Sequence, residues 1–390
     1  MHNTTVIGLQ ALHLAGCPVV DPSEWACQTT WKSGSIMYGP GTNLSNASLT
    51  LVDFTEAMLT SADFYGAGLD YADLVEADLS GADLRHADLS NAVLTDADLS
   101  GATLHHADLT GADFTNTNLS GVKALQLAGC PHSLPDAWDC VQTPKSGAVL
   151  IGPGADLSGA DLSEIDLSSF DFTGAKFSGT TLDFARAIDL IGCPIELDNQ
   201  YSCKQTPNAG LVIFGPNMNL KDINLNDMDL SYLHLQGAEI SGSTMVWATA
   251  THITGCPDAL PEEWFCIPTL QSGHVLVGPN AKLNNKNLMG ANLNNMNLAG
   301  IYLQGATISY ADLTNSDLSY AKLDDADVRY SDLTGANFFS AVLTNANFDW
   351  ANLTGVNWHV TFFGDLSTSN GNGGTCCGHL AGSTPAAGCD

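Results

Sequence analysis

Positive charge is scarce in this chain: Lys and Arg number 12 against 42 Asp and Glu, for a formal net charge of −30 over 390 residues. A chain so poor in cations has no electrostatic footprint for phosphate backbones or for an anionic membrane surface, so neither nucleic acid nor a lipid face is expected as a partner. Long apolar runs are missing too. None approaches the roughly 20 residues that span a bilayer, and the opening MHNTTVIGLQ lacks the basic and apolar segments of a secretory leader. No HExxH, no phosphate loop and no nucleophile-base-acid spacing occurs, and GNGG near the C-terminus is too short to be read as nucleotide-binding. The expectation is a protein that is not an enzyme and holds no cofactor. Cations remain possible partners.

Cysteine, by contrast, is patterned. Eight of the eleven form pairs, Cys17/Cys27, Cys130/Cys140, Cys193/Cys203 and Cys256/Cys266, each with nine residues between the partners. One spacing used four times implies one fixed geometry between two sulfurs. Zinc would want CxxC pairs with nearby His, which are lacking, so disulfides are expected, and with them an extracellular or cell-surface location. Three further cysteines, Cys376, Cys377 and Cys389, lie in a Gly/Ser-rich tail and leave an odd thiol for a free or intermolecular role. Sequons at Asn3, Asn43, Asn46, Asn118 and Asn352 are candidates for glycosylation.

The dominant signal is a five-residue period. From Leu44 to Leu119 an apolar residue falls at every fifth position, as in VEADL, SGADL and RHADL, and the register returns over 157–182, 220–245 and 283–358. Five suits neither a helix at 3.6 nor a strand at 2, so something must turn the chain at each unit. Between arrays lies a second repeat: Ala11 to Leu44, Ala124 to Leu157, Ala187 to Leu220 and Ala250 to Leu283 all share one separation, thirty-three positions. Its copies share GCP, an aromatic two residues before the second Cys (Trp25, Trp138, Tyr201, Trp264), and GP before the period resumes. That separation is not a multiple of five, so the chain must leave the periodic path and return to it; one reading is a full coil plus a shorter excursion. The aromatic is expected to pack on the disulfide or the coil wall.

The units A-[DN]-L-[ST]-x resemble the pentapeptide-repeat family. The resemblance implies an all-β, right-handed parallel quadrilateral β-helix, a solenoid in which four units make one square coil, with the central Leu or Phe and the small residue two before it facing inward. Here four C-x9-C disulfide loop inserts interrupt it. The segments are then 1–43 for an N-terminal stub and insert 1, 44–123 for array 1, 124–156 for insert 2, 157–186 for array 2, 187–219 for insert 3, 220–249 for array 3, 250–282 for insert 4, 283–365 for array 4 and 366–390 for the tail. With four units to a coil, Gly, Ser and Thr should sit at corners, and outward Asp should stack, Asp53 with Asp73 and Asp63 with Asp83, to give rows of like charge. His86 and His106 should also stack, with Arg85 and His105 beside them, as a solvated basic patch rather than a metal site. Tyr310, Tyr330 and Trp350 should form one outward ladder, open to a glycan or partner or packed against the tail. The functional expectation is an extracellular structural protein that self-associates head to tail. The alternatives are a topoisomerase-binding DNA mimic, known in that family, and a glycan-binding adhesin.

Overall fold

The computed structural model describes residues 25–30, 34–145, 147–207, 209–270 and 273–362. Cys17, Asn3, Cys376, Cys377 and Cys389 lie outside them. Two compact units divide the chain, Met1–Asn199 and Gln200–Asp390. In each, the array backbone advances by parallel bridges at one constant separation in sequence, such as Asn43 to Asp63 to Asp83 in the first and Asn292 to Asp312 to Asp332 in the second. Four five-residue units therefore complete one coil of a parallel β-helix. The Leu44 N–H donates to the Asp63 carbonyl at 2.7 Å and the Asp63 N–H to the Thr42 carbonyl at 2.9 Å, so coil satisfies coil.

Within a unit the chain turns because the N–H of the small residue reaches back three positions, as from Ala47 to the Leu44 carbonyl at 3.1 Å. The residue before it, Asn46, has φ of 55°, a type II signature. That left-handed position recurs every fifth residue and is not reserved for Gly: Glu56, Tyr71, His86 and Asp96 all occupy it at φ of 57–60°. Gly, Ser and Thr do occupy the corners, Ser45 ahead of the left-handed residue and Gly66 or Gly81 at the left-handed place itself, but that place admits other residues as well. Ser and Thr precede the left-handed residue, which points outward and tolerates any side chain that accepts the strain. Inside the coil, Leu74, Leu79, Leu84 and Leu89 are fully buried, as are Ala72 and Ala77 beside them.

Among the described residues, four two-stranded antiparallel hairpins precede or separate the arrays. The first unit holds β1 (Ala26–Thr30) with β2 (Gly34–Tyr38) and β3 (Asp139–Thr143) with β4 (Gly147–Ile151). The second holds β5 (Ser202–Gln205) with β6 (Leu211–Phe214) and β7 (Phe265–Pro268) with β8 (His274–Val277). The sequence does not announce these strands, because a short apolar run such as AVLI carries no period to reveal it. The second strand of the hairpin is coil wall: Ala148 to Ile151 are buried, and Leu127 exchanges backbone hydrogen bonds with Ala148. The coil also runs past Ala124, since Gly129 and Ser133 still bridge to Asp108 and Asp113. Beyond the hairpin, the Asp156 N–H reaches back to the Val122 carbonyl, a longer step along the chain than the one from Asp63 to Thr42 inside the array; the surplus chain is the excursion.

In three of these hairpins an aromatic ring lies on a glycine. A Cβ on Gly152 would fall inside the Trp138 indole, one on Gly215 inside the Tyr201 ring, and one on Gly278 inside the Trp264 indole. The glycine of these three GP pairs is therefore fixed by contact with that ring. Cys130 and Cys140 are bonded with their Cα atoms 5.9 Å apart, and Cys256 and Cys266 at 5.8 Å. Cys27, Cys193 and Cys203 are disulfide-bonded as well.

Candidate functional site

Among the described residues, the outward positions of the coils carry three kinds of chemistry. The first is the Asp rows. Asp53 stacks on Asp73 and Asp63 on Asp83, as the four-unit coil requires. The carboxylates are not merely solvated. Asp53 accepts the Thr55 N–H at 3.0 Å, and Asp78 accepts the Ser80 N–H at 3.0 Å and its hydroxyl at 2.6 Å. Each Asp thereby braces the turn two residues ahead, which is what A-D-L-[ST] encodes. Hydrogen bonds from the Ser133 and Thr115 hydroxyls and the Thr115 N–H hold Asp113 down to about 2, and those from Thr55 lower Asp53. Arg85 lowers Asp83 in the same way through a two-pronged pair, with N···O distances of 2.8 and 2.6 Å.

The second kind is a basic cluster in the first unit. His86 and His106 stack at 4.7 Å with planes 14° apart, Tyr65 meets His86 edge-on at 5.2 Å, and Arg85 lies 5.6 Å from the Tyr65 ring. Burial, and then the positive neighbours Lys123, His106 and Arg85, lower the His105 pKa. Among the described residues no group of three His, Cys, Asp or Glu is placed to hold a metal.

The third kind is aromatic. Tyr310, Tyr330 and Trp350 form a ladder on one corner of the second unit, with centroids 4.9 and 6.5 Å apart and planes within 11° and 3°. All three are exposed, but the middle ring less so, at 46% against 62% and 61%. The stack consumes the ring faces it shares, so a glycan laid along the ladder would meet edges rather than faces. Sequence reasoning missed the Tyr232–His252 stack at 4.9 Å and the Tyr320, Phe339, His359 run, which a search for aromatics about one coil apart would have found.

The described sequon asparagines are unequal. Asn118 and Asn352 occupy the outward Asp position, donate their amide N–H to Asp98 and Thr334, and accept from the residue two ahead. Asn43 likewise accepts from Ser45. Asn46 instead sits exposed at a left-handed corner.

The outward chemistry of the described coils is arranged in rows, one residue per coil. A family model for pentapeptide repeats matches residues 41–70, 72–111, 83–121, 154–187, 287–323 and 321–357 in eight copies. The chain belongs to the pentapeptide-repeat family, its arrays interrupted by disulfide-bearing hairpins. Among solved structures it is similar to HetL, a pentapeptide repeat protein involved in heterocyst differentiation regulation from the cyanobacterium Nostoc sp. strain PCC 7120, at 20% identity over 85% of this chain and 91% of that one, with a TM-score of 0.23. A pentapeptide repeat protein of the Arabidopsis thaliana thylakoid lumen is 35% identical over 21% of this chain and 61% of its own, with a TM-score of 0.19. QnrB1, a plasmid-mediated fluoroquinolone resistance protein, is 12% identical over 85% of this chain and 90% of its own, with a TM-score of 0.14. No curated protein matches the chain.

Proposed function

We propose that this chain is an extracellular structural protein: a right-handed, four-sided β-helix, braced by disulfide hairpins, that assembles coil on coil with further copies and acts through its surfaces rather than by catalysis. The observation that carries the reading is the hairpin. Its disulfide closes a segment whose second strand is itself coil wall, so the brace is integral to the fold and needs an oxidising compartment to persist. Coil-on-coil assembly would reuse the bond each coil already makes to the next, a heterologous contact that does not stop at a dimer. Cations suit the Asp rows, and sugars on the sequons suit the same compartment. Electron microscopy of the full chain in oxidising buffer tests the reading: filaments or sheets are expected. Discrete particles at every concentration would overturn it and favour a soluble inhibitor that mimics DNA.

A further inference from the structure

The aromatic ladder stops one coil short of where it could. Its column of left-handed corners continues upward from Tyr310 to Gly290, whose N–H bonds the Ser309 carbonyl at 2.9 Å just as the Tyr310 N–H bonds the Arg329 carbonyl at 2.9 Å. Gly290 thus occupies the next position of the same stack without a side chain. Among the described residues, a Cβ built there meets one atom within 4 Å, the Leu270 Cδ1 at 3.5 Å, which is ordinary contact. Leu270 is itself 76% exposed. The result is an opening bounded by the uncovered face of Tyr310, the Gly290 backbone and Leu270. Tyr310 is more exposed than Tyr330, as expected if one of its faces is bare.

The height of the opening is set by the coil. Successive rings of this column lie 4.9 Å apart where both are tyrosine, so a planar ring entering at the level of Gly290 would stack on Tyr310 in register. Charge selects among planar rings. At the level of Gly290 the two faces that meet at this corner carry Asn287 and Asn292, one coil on they carry Thr307 and Asp312, and a further coil on Asp327 and Asp332, while Arg329 is spent on Asp327 with N···O distances of 2.8 Å in both prongs. Asp312, Asp327 and Asp332 outnumber Lys286 and Arg329 along these faces, and an aromatic face attracts cations.

We propose that the open level between Tyr310 and Leu270, floored by Gly290, is a binding slot for a planar aromatic ring that carries positive charge. This goes beyond the structural role and does not depend on assembly or compartment. The probe is thioflavin T, a planar benzothiazolium cation, titrated against the full chain by fluorescence with the stoichiometry fixed by equilibrium dialysis. Gly290→Tyr fills the level with the protein's own ring. The backbone admits it, because Tyr310, Tyr330 and Trp350 hold φ of 60–63° in the same column. One site per chain should disappear, with affinity there at least tenfold weaker. Gly290→Ala leaves the Tyr310 face bare and should retain binding within about threefold, and Tyr310→Leu should lose it like Gly290→Tyr. Raising salt should weaken the wild-type site. Unchanged binding and stoichiometry in Gly290→Tyr would overturn the slot, as would equal loss in Gly290→Ala; salt-independent binding would overturn its preference for charge.

Discussion

At the scale of the residue, the five positions of a unit have separate duties, and each can be addressed alone. Leu84 is fully buried, so Leu84→Asp places a carboxylate without a partner in a core one side chain wide and should cost about 4 kcal/mol or more. Asp83→Asn keeps an acceptor for the Arg85 N–H and should leave the fold intact; equal damage from both changes would reverse the inward and outward assignment. The Asp rows also set an acid limit. Asp113 is held at about 2, below its ordinary 3.8, so the stability it contributes is complete above pH ~4 and is lost as pH falls through about 2. Repulsion within the rows acts in the opposite sense, but hydrogen bonding prevails at Asp53, Asp83, Asp312 and Asp327, whose pKa values are all lowered. Melting followed by circular dichroism should show the midpoint falling between pH 4 and 2, less steeply in Asp113→Asn, which cannot titrate. A midpoint that rises on acidification would show that repulsion dominates. Among the sequons, glycopeptide mapping of protein secreted from a glycosylating host should find sugar on Asn46 and little on Asn118 or Asn352, whose amides are already bonded.

At the scale of the element, the coil was legible in the sequence and the hairpin was not. Period five fixes which residues recur together, and the four-unit coil implied by the family resemblance then places Asp53 on Asp73 and Tyr310 on Tyr330. The turn-bracing role of Asp was present in A-D-L-[ST] but masked by its charge, which invites a reading as a solvated face. The strands of the inserts carry no alternation, since β4 is buried at Ala148, Val149, Leu150 and Ile151 alike. Only the structure shows why GP follows each disulfide. Gly152→Ala should lower the unfolding midpoint more than Gly159→Ala does, because the first drives a methyl into Trp138 whereas the second meets nothing within 4 Å and bears only the left-handed strain of about 1 kcal/mol. Equal losses would mean that the ring can move aside. Replacing Cys130 and Cys140 together by Ser should cost about 3 kcal/mol on the chain-entropy account of a short loop.

At the scale of the whole molecule, a net charge of −30 opposes close approach of copies in dilute salt, and the proposed coil-on-coil assembly has to overcome it. Salt should therefore promote assembly, as screening shortens the reach of the Asp rows to about 8 Å at physiological strength. Phe362 belongs to the last described bridge, with its N–H on the Ala341 carbonyl at 2.8 Å and its side chain exposed. Phe362→Pro removes that donor and so loosens the last described coil, on which a further copy would have to stack, without touching a hairpin. Sedimentation velocity of the full chain over a hundredfold concentration range, in oxidising buffer at physiological salt, tests the central claim most directly. The account predicts boundaries that shift to larger species as concentration rises in the wild type, and a reduced shift in Phe362→Pro. A single monomer boundary at every concentration would contradict it.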